Sequence, residues 1–350
     1  MTAVFPGGNT NTYVPSTEAT QNLVVDFSRN PKSFPLNKYL QIIPVTKDVG
    51  YYASMTIEEA GRILRTNLSN HLWADGDDAP SDTGQTESFE FLPYQCKRRA
   101  YGFRLGQKAV KQASWDILAQ HGRIKAQQAM TARTQLAITL LTTSGNWPSA
   151  NTSAVGSISG VTDKWDVSTT ARKDIKRSID YALETIMKAT LSAIDIDDMY
   201  LVLSPGCARK ISVCQEIVDH IKGSPDALRE IKGELGPNAQ FGLPSKLYGV
   251  NVVVENTVKV TSRKGATRAA SFVLGDATPF ITSRPGGLVA PTDSQTAPRF
   301  STACMFMYEE MSVESKYDQD NRVEKGRIVE DFDTKLVAGQ SGFLFTAAVS

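Results

Sequence analysis

The stretch from Trp165 to Asn256 constrains this chain most, because its hydrophobic pattern changes period repeatedly within one segment. Ile175, Ile179, Leu183, Ile186 and Met187 recur at helical spacing, with Ser168 and Thr169 placed to cap the start and a charged opposite face. Tyr200-Leu-Val-Leu203 is too short for a helix and too apolar for a surface loop, so it reads as a buried strand ended by Ser204-Pro-Gly206. Ile211, Cys214, Ile217, Val218 and Ile221 form a second helical stripe that Gly223-Ser-Pro225 ends. Leu247 to Val254 supplies another β-branched strand. Helix, strand, helix, strand predicts a compact α/β unit at the centre of the chain.

A chain of 350 residues can bury a large core and has room for about two domains. No run of roughly 18 apolar residues is present to span a bilayer. Met1 to Gly8 carries neither a basic nor a long apolar region, so the reading is an intracellular product, not a secreted one. The cysteines, Cys96, Cys207, Cys214 and Cys304, are far apart and set in apolar segments, which fits buried thiols better than a disulfide framework or a zinc site. A net charge of +1 argues against a strongly basic nucleic-acid binder by composition. The charge is nevertheless unevenly spread. Leu72 to Cys96 holds Asp75, Asp77, Asp78, Asp82, Glu87 and Glu90 and no Lys or Arg, whereas Gln107 to Thr143 holds Lys108, Lys111, Arg123, Lys125 and Arg133 against the single acid Asp116.

Prolines 6, 15, 31, 35 and 44 exclude a long helix from the first 50 or so residues. Leu23 to Val25, Phe27, Phe34, Leu36, Tyr39, Leu40, Ile42 and Ile43 are too apolar for a free tail, which predicts an extended arm lying on other protein, such as a neighbour. Thr56-Ile-Glu-Glu59 reads as a capping box for a short helix to about Asn67. The acidic, turn-rich Ala74 to Gly84 lies between His71-Leu-Trp73 and Ser88-Phe-Glu-Phe-Leu92, which continues through Gln95 to Leu105, and predicts a projecting two-stranded hairpin that needs a partner surface. Gln107 to Thr143 has no proline and only Gly122, and Val110, Ala113, Ile117, Ile124, Ala129, Ala132, Leu136 and Leu140 predict one helix on the order of 50 Å long. Ser144 to Thr162 reads as a linker. Beyond the α/β unit, strands are predicted at 271–275, 279–282, 302–313, 327–329, 334–338 and 342–349, with a polar turn at Tyr317 to Arg322.

No nucleotide-binding, hydrolase, metalloprotease or CxxC motif occurs. Ser204 occupies a strand-to-helix turn but has no nearby histidine to serve as its base, so it reads as a turn residue. His71, His121 and His220 read as surface or satisfied core groups, and His220 is at the wrong helical spacing from Cys214 for joint ligation. Asp195-Ile-Asp-Asp198 and Asp75-Gly-Asp-Asp78 lack the glycine and bidentate glutamate spacing of a calcium loop and read as solvated turns. Neither a cofactor nor a metal site is expected.

The order of these parts resembles the major capsid proteins of tailed double-stranded-DNA bacteriophages, an α+β class with the Hong Kong 97-like (Johnson) fold. The likeness is carried by Ser88-Phe-Glu-Phe-Leu92 running through Arg99 to Arg104 into the long helix, by Lys173-Asp-Ile175 with Tyr200 to Pro205, Phe241-Gly-Leu-Pro244 and Val250 to Val253, and by Val313 to Arg322 before the last strands. It implies an N-arm over 1–50, a short helix region over 51–67 and an extended β-hairpin loop over 68–105. A peripheral domain with a long spine helix follows over 106–163, with return strands over 302–335, and an α/β axial domain covers 164–301 with a final strand over 336–350.

The same resemblance implies a structural, non-enzymatic protein that self-assembles as hexamers and pentamers into an icosahedral head around DNA, a virion component assembled in the host cytoplasm. It further implies a scaffolding protein, a portal and, in some relatives, a decoration protein as partners, with packaged double-stranded DNA held by non-specific contact and no membrane. Some relatives cross-link subunits through an extended-loop lysine, but this loop has none before Lys97, so such a weld is not expected. Some also carry a cleaved scaffolding segment before the arm, whereas here the arm begins almost at Met1, so a separate scaffolding protein is expected. The charge asymmetry suggests that the acidic loop of one subunit (Asp75, Asp77, Asp78, Asp82, Glu87, Glu90) lies over the basic helix face of another (Lys108, Lys111, Arg123, Lys125, Arg133). The competing reading of those charges is a solvated loop and a basic face turned to DNA. Competing readings of the whole are a cargo-holding nanocompartment shell of the same fold, and an α/β ligand-binding or enzyme domain.

Overall fold

The computed structural model describes residues 34–54, 73, 75–76, 90–113, 116–167, 173–222, 241–263, 265–284 and 301–350. The predicted helix from Thr56, the caps Ser168 and Thr169 and most of the acidic loop lie outside the described residues. In chain order the elements are helix α1 (Leu36–Tyr39), strands β1 (Gln41–Pro44), β2 (Val49–Ser54), β3 (Glu90–Gln95) and β4 (Lys97–Gly106), and helices α2 (Gln107–Gln112) and α3 (Ile117–Thr142). Next come β5 (Thr152–Ala154), α4 (Asp174–Ala189), β6 (Met199–Leu203), α5 (Pro205–Ser212), α6 (Gln215–Lys222), β7 (Lys246–Leu247), β8 (Val250–Val254), β9 (Val258–Val260), β10 (Ala270–Phe272) and β11 (Phe280–Ser283). The chain closes with β12 (Ala303–Asp318), β13 (Val323–Leu336) and β14 (Phe343–Thr346).

Two sheets carry the architecture. One runs β5-β14-β11-β6-β8-β7, the other β1-β12-β13-β4, and β2-β3 and β9-β10 are separate two-stranded ribbons. The six-stranded sheet is buried on both faces, and alternate residues of its strands divide between two cores. Leu201, Leu203, Val252, Val254, Ile281, Phe343 and Phe345 face α4, α5 and Trp165. Val202, Val253, Phe280 and Leu344 point the other way and meet Ile138 and Leu141 of α3, Met305 and Phe332 of the second sheet, and Leu36, Tyr39 and Leu40. Strands wrapped in this way read as short continuous apolar runs, which is why Tyr200 to Leu203 and Val250 to Val254 were legible.

The structure departs from the sequence reading in several places. The predicted long helix is two helices: Ala113 is extended, and the Asp116 carboxylate accepts from the Ala119 amide at 2.9 Å, so α3 starts on its own cap. Its buried residues, Ala129, Met130, Thr134, Ala137, Ile138 and Leu141, lie on a face adjacent to the predicted stripe, and Leu136 is exposed. Apolar residues are spread around this helix, so its partner surface selects the buried side. Ser144 to Thr162 is built in and is no linker: β5 pairs in parallel with β14, Asn151 donates to the Gln340 and Gly342 carbonyls, and Val155 and Ile158 are core residues.

The described end of the N-terminal segment belongs to the chain's own core: β1 pairs in parallel with β12, and the Tyr39 hydroxyl donates to Glu255 at 2.8 Å. The strand paired with β3 is β2, from Val49, and not His71-Leu-Trp73. The helix predicted after Ser204 is interrupted at Val213 and Cys214 to give α5 and α6. The late short strands, in turn, join into the long β12-β13 hairpin, whose pairing runs from Ala303↔Leu336 to Asp318↔Val323 with two register shifts.

Gly342 has no room for a side chain, since a Cβ there would lie 2.5 Å from the Ile281 carbonyl oxygen and 2.8 Å from Thr302. Backbone cannot move aside as a flexible side chain would, so Gly342→Ala is expected to destabilise by about 1–3 kcal/mol. A lowered urea midpoint with an unchanged m-value checks this.

Candidate assembly surfaces

Helix α3 is seated on the second sheet by a buried ion pair. Arg133, 5% exposed, sends Nη2 and Nε to Glu330 Oε2 at 2.5 and 3.2 Å, and Glu330 is fully buried on β13. Phe332, two residues on and therefore on the same face of the strand, receives the Arg133 guanidinium at 5.4 Å from its ring centroid and that of Arg99 at 4.2 Å. Burial pushes the Glu330 carboxyl above its ordinary range, against the opposing pull of Arg133 and Arg99. Arg133 is therefore removed from the exposed basic face in which the sequence had placed it. Its neighbours Met130, Thr134 and Ala137 turn inward, and a guanidinium on that side needs a buried carboxylate.

The other predicted cations remain at the surface. Lys108 and Lys111 are exposed on α2, Arg123 is exposed on α3, and Lys125 is half-buried with its ammonium on Gln128 at 2.9 Å. Ile124 and Leu136, 42% and 41% exposed, add apolar area to the outer side of α3. His121 stacks on Phe103 at 5.8 Å, and burial followed by Lys125 lowers its pKa. Of the acids, Asp75 is exposed at a turn beside Gly76, which has φ +89°, and Glu90 is the exposed first residue of β3. Asp77, Asp78, Asp82 and Glu87 lie outside the described residues. Among the described residues no ion pair joins Asp75 or Glu90 to Lys108, Lys111, Arg123, Lys125 or Arg133.

A surface that the sequence reading missed is the β2-β3 ribbon. On its inner side Tyr52 and Tyr94 stack on Phe306 at 5.5 and 4.5 Å, and a Cβ at Gly50 would collide with the Tyr94 ring. On its outer side Val49, Tyr51 and Phe91 are 49%, 71% and 66% exposed. Alternation in Val49-Gly-Tyr-Tyr-Ala-Ser54 was the available signal. A two-stranded ribbon gains little from its own pairing, so the inner stack holds it and the outer face is left to another surface.

The groups that could carry chemistry are engaged in structure. Ser204 Oγ accepts from the Cys207 amide at 3.0 Å and donates to Asp276 at 2.5 Å, a cap at the start of α5. All four cysteines are buried, and burial raises Cys214 and Cys304 to about 11, which suppresses the reactive thiolate. Asp197 receives Lys246 at 2.7 Å. Among the described residues no group of three His, Cys, Asp or Glu could hold a metal ion, and no helix is long and apolar enough to cross a membrane.

Comparison with solved structures identifies the architecture. The fold is similar, at 14% identity and TM-score 0.61, to a phage-related protein from Bordetella bronchiseptica RB50, over 91% of this chain and 93% of that one. It is similar to the mature capsid of bacteriophage PhiM1 at 12% identity and TM-score 0.52, over 93% and 89% of the two chains. The capsid of cyanophage P-SCSP1u matches at 10% identity and TM-score 0.53, over 94% and 91%. The chain has the phage capsid fold. No protein-family model and no curated protein matches the sequence.

The Arg133–Glu330 pair yields a stability prediction for the capsid fold. Arg133→Met leaves a buried carboxylate without its cation and is expected to cost about 3–5 kcal/mol near neutral pH. Glu330 has a folded pKa above its ordinary 4.5, so the folded chain holds that proton more tightly than the unfolded chain. Its contribution is then most favourable below that ordinary value and declines as pH rises through the folded pKa. Glu330→Gln removes this slope, and urea midpoints measured across the acid-to-neutral range in both proteins check the sign.

Proposed function

We infer that this chain is the major capsid protein of a tailed double-stranded-DNA phage, a structural subunit that closes into a shell. The observation that carries this reading is the fold likeness over nine-tenths or more of this chain to solved phage capsids. The exposed apolar face of the β2-β3 ribbon supports it, because contiguous apolar surface of this kind belongs against another protein. On this reading subunits form hexamers and pentamers of an icosahedral head, with heterologous contacts that close into rings and bury roughly 2,000 Å² or more each. A scaffolding protein and a portal are the expected partners, with a decoration protein as in some relatives, and the packaged DNA is met through its phosphates, without sequence preference.

Within that assembly the acidic segment from Asp75 to Glu90 of one subunit packs near the Lys108, Lys111, Arg123 and Lys125 surface of a neighbour. Exposed pairs contribute only about 0–1 kcal/mol each, so their role is register and orientation, repeated across the lattice. The apolar Tyr51 and Phe91 supply the burial that the charges cannot.

Electron microscopy with sedimentation of the purified chain, alone and with a scaffolding protein, tests the function directly. Rings or closed shells are expected; a chain that stays monomeric with scaffold at high concentration would remove the reading. Reversing Asp75, Asp77 and Asp78 to Lys is expected to impair assembly without unfolding the subunit. Normal shells from that variant would sink the loop-to-helix contact while leaving the capsid function standing.

A further inference from the structure

The second two-stranded ribbon, β9-β10, carries cations that pair with no acid among the described residues. From Asn256 to Gly275 the sequence holds Lys259, Arg263, Lys264 and Arg268 and no acid. Arg263 and Arg268 are exposed at the tip, Lys259 is half-buried on the ribbon, and among the described residues no carboxylate pairs with any of these three. The ribbon projects from a rigid root. Val273 donates its amide to the Thr257 carbonyl at 2.9 Å, Thr257 donates its amide to Glu255 at 3.1 Å, and Glu255 is fully buried and holds the Tyr39 hydroxyl. Beyond the root every described residue of β10 is exposed, and the turn is closed by Thr261 to Ala269 and Ala266 to Arg263 hydrogen bonds around Gly265, with φ +87°.

We propose that the β9-β10 ribbon is a contact with the phosphate backbone of double-stranded DNA, through Lys259, Arg263 and Arg268. A cluster of cations with no interspersed acid matches a polyanion of regular charge spacing, and a two-stranded ribbon is of a size that the major groove admits. A second copy of the chain is the competing occupant: Asp180, Glu184, Asp197 and Glu314 already hold Lys176, Lys188, Lys246 and Arg327 of their own chain, at 3.9, 2.5, 2.7 and 2.5 Å, but exposed Asp75, Asp195 and Asp320 are in no ion pair among the described residues, so assembly of the variant is read beside its DNA binding. The rigid root and unpaired tip give positioning and long-range attraction without base readout, as a shell lining packaged DNA requires. This inference rests on the capsid reading for its DNA.

The test uses the soluble full-length chain and a double-stranded DNA fragment, with fluorescence anisotropy across a salt series, so that it does not depend on shell formation. The double variant Arg263→Ser/Arg268→Ser is expected to reduce the slope of log K against log salt by about 1–2, since each lost phosphate contact removes about 0.9. Arg263→Lys/Arg268→Lys, which keeps the charge, is expected to retain the wild-type slope, and Lys108→Ser/Lys111→Ser is expected to leave it unchanged. An unaltered slope in the double Ser variant overturns the proposal, as does loss of assembly by that variant with DNA binding intact, which would make the ribbon a subunit contact. Failure of the wild-type chain to form shells would instead strike the capsid reading, and the anisotropy result would stand on its own.

Discussion

Burial of the six-stranded sheet on both faces is the constraint from which the rest of the structure follows. Its central strands must be apolar at most positions, and the two sets of alternating side chains need two different partners. Helices α4 and α5 cover one face. The other face is covered by the end of α3, the roots of β12 and β13, and the segment from Leu36 to Leu40. One layer of Val202, Val253, Phe280 and Leu344 therefore ties together elements far apart in sequence. The long hairpin and the long helix can project because their roots are held in this layer.

Away from that layer the chain uses a polar anchor and aromatic stacking. Arg133 and Glu330 fix the rotation of α3 about its axis at a point where apolar residues alone would allow several faces to bury. A buried pair is weak as a source of net stability but strongly penalises the wrong register, because either partner left alone is a buried charge. The β2-β3 ribbon is held by Tyr52 and Tyr94 against Phe306, which leaves Tyr51 and Phe91 outward. The same geometry that secures the ribbon produces its free surface. The β9-β10 ribbon repeats this logic with charge in place of apolar area, on a root clamped by Glu255 and Thr257.

Much of the fold was legible in local pattern. The α4 stripe and the β6 run lie where their periodicity placed them, because a helix over a two-sided sheet leaves little freedom in which residues are apolar, whereas the strand predicted over Leu247 to Val254 turns back at Tyr248 and Gly249, both at positive φ, into antiparallel β7 and β8. The order of parts carried the resemblance to phage capsids, and the structural comparison agrees with that fold. The candidate surface was less legible. Lys108, Lys111, Arg123 and Lys125 are at the surface as charge suggests, but Arg133 carries the same charge and is set apart by the carboxylate that stands opposite it.

By itself the sequence determined the α/β centre, the acidic and basic segments and the buried thiols, since each is a property of residues within one helical turn or one strand. Only the tertiary structure decided which face of α3 is buried, that Ser144 to Thr162 joins the core, and that β2 and not His71-Leu-Trp73 pairs with β3. These depend on contacts between residues far apart in the chain. Local propensity is silent there, because several partners satisfy it equally and packing of the whole selects one.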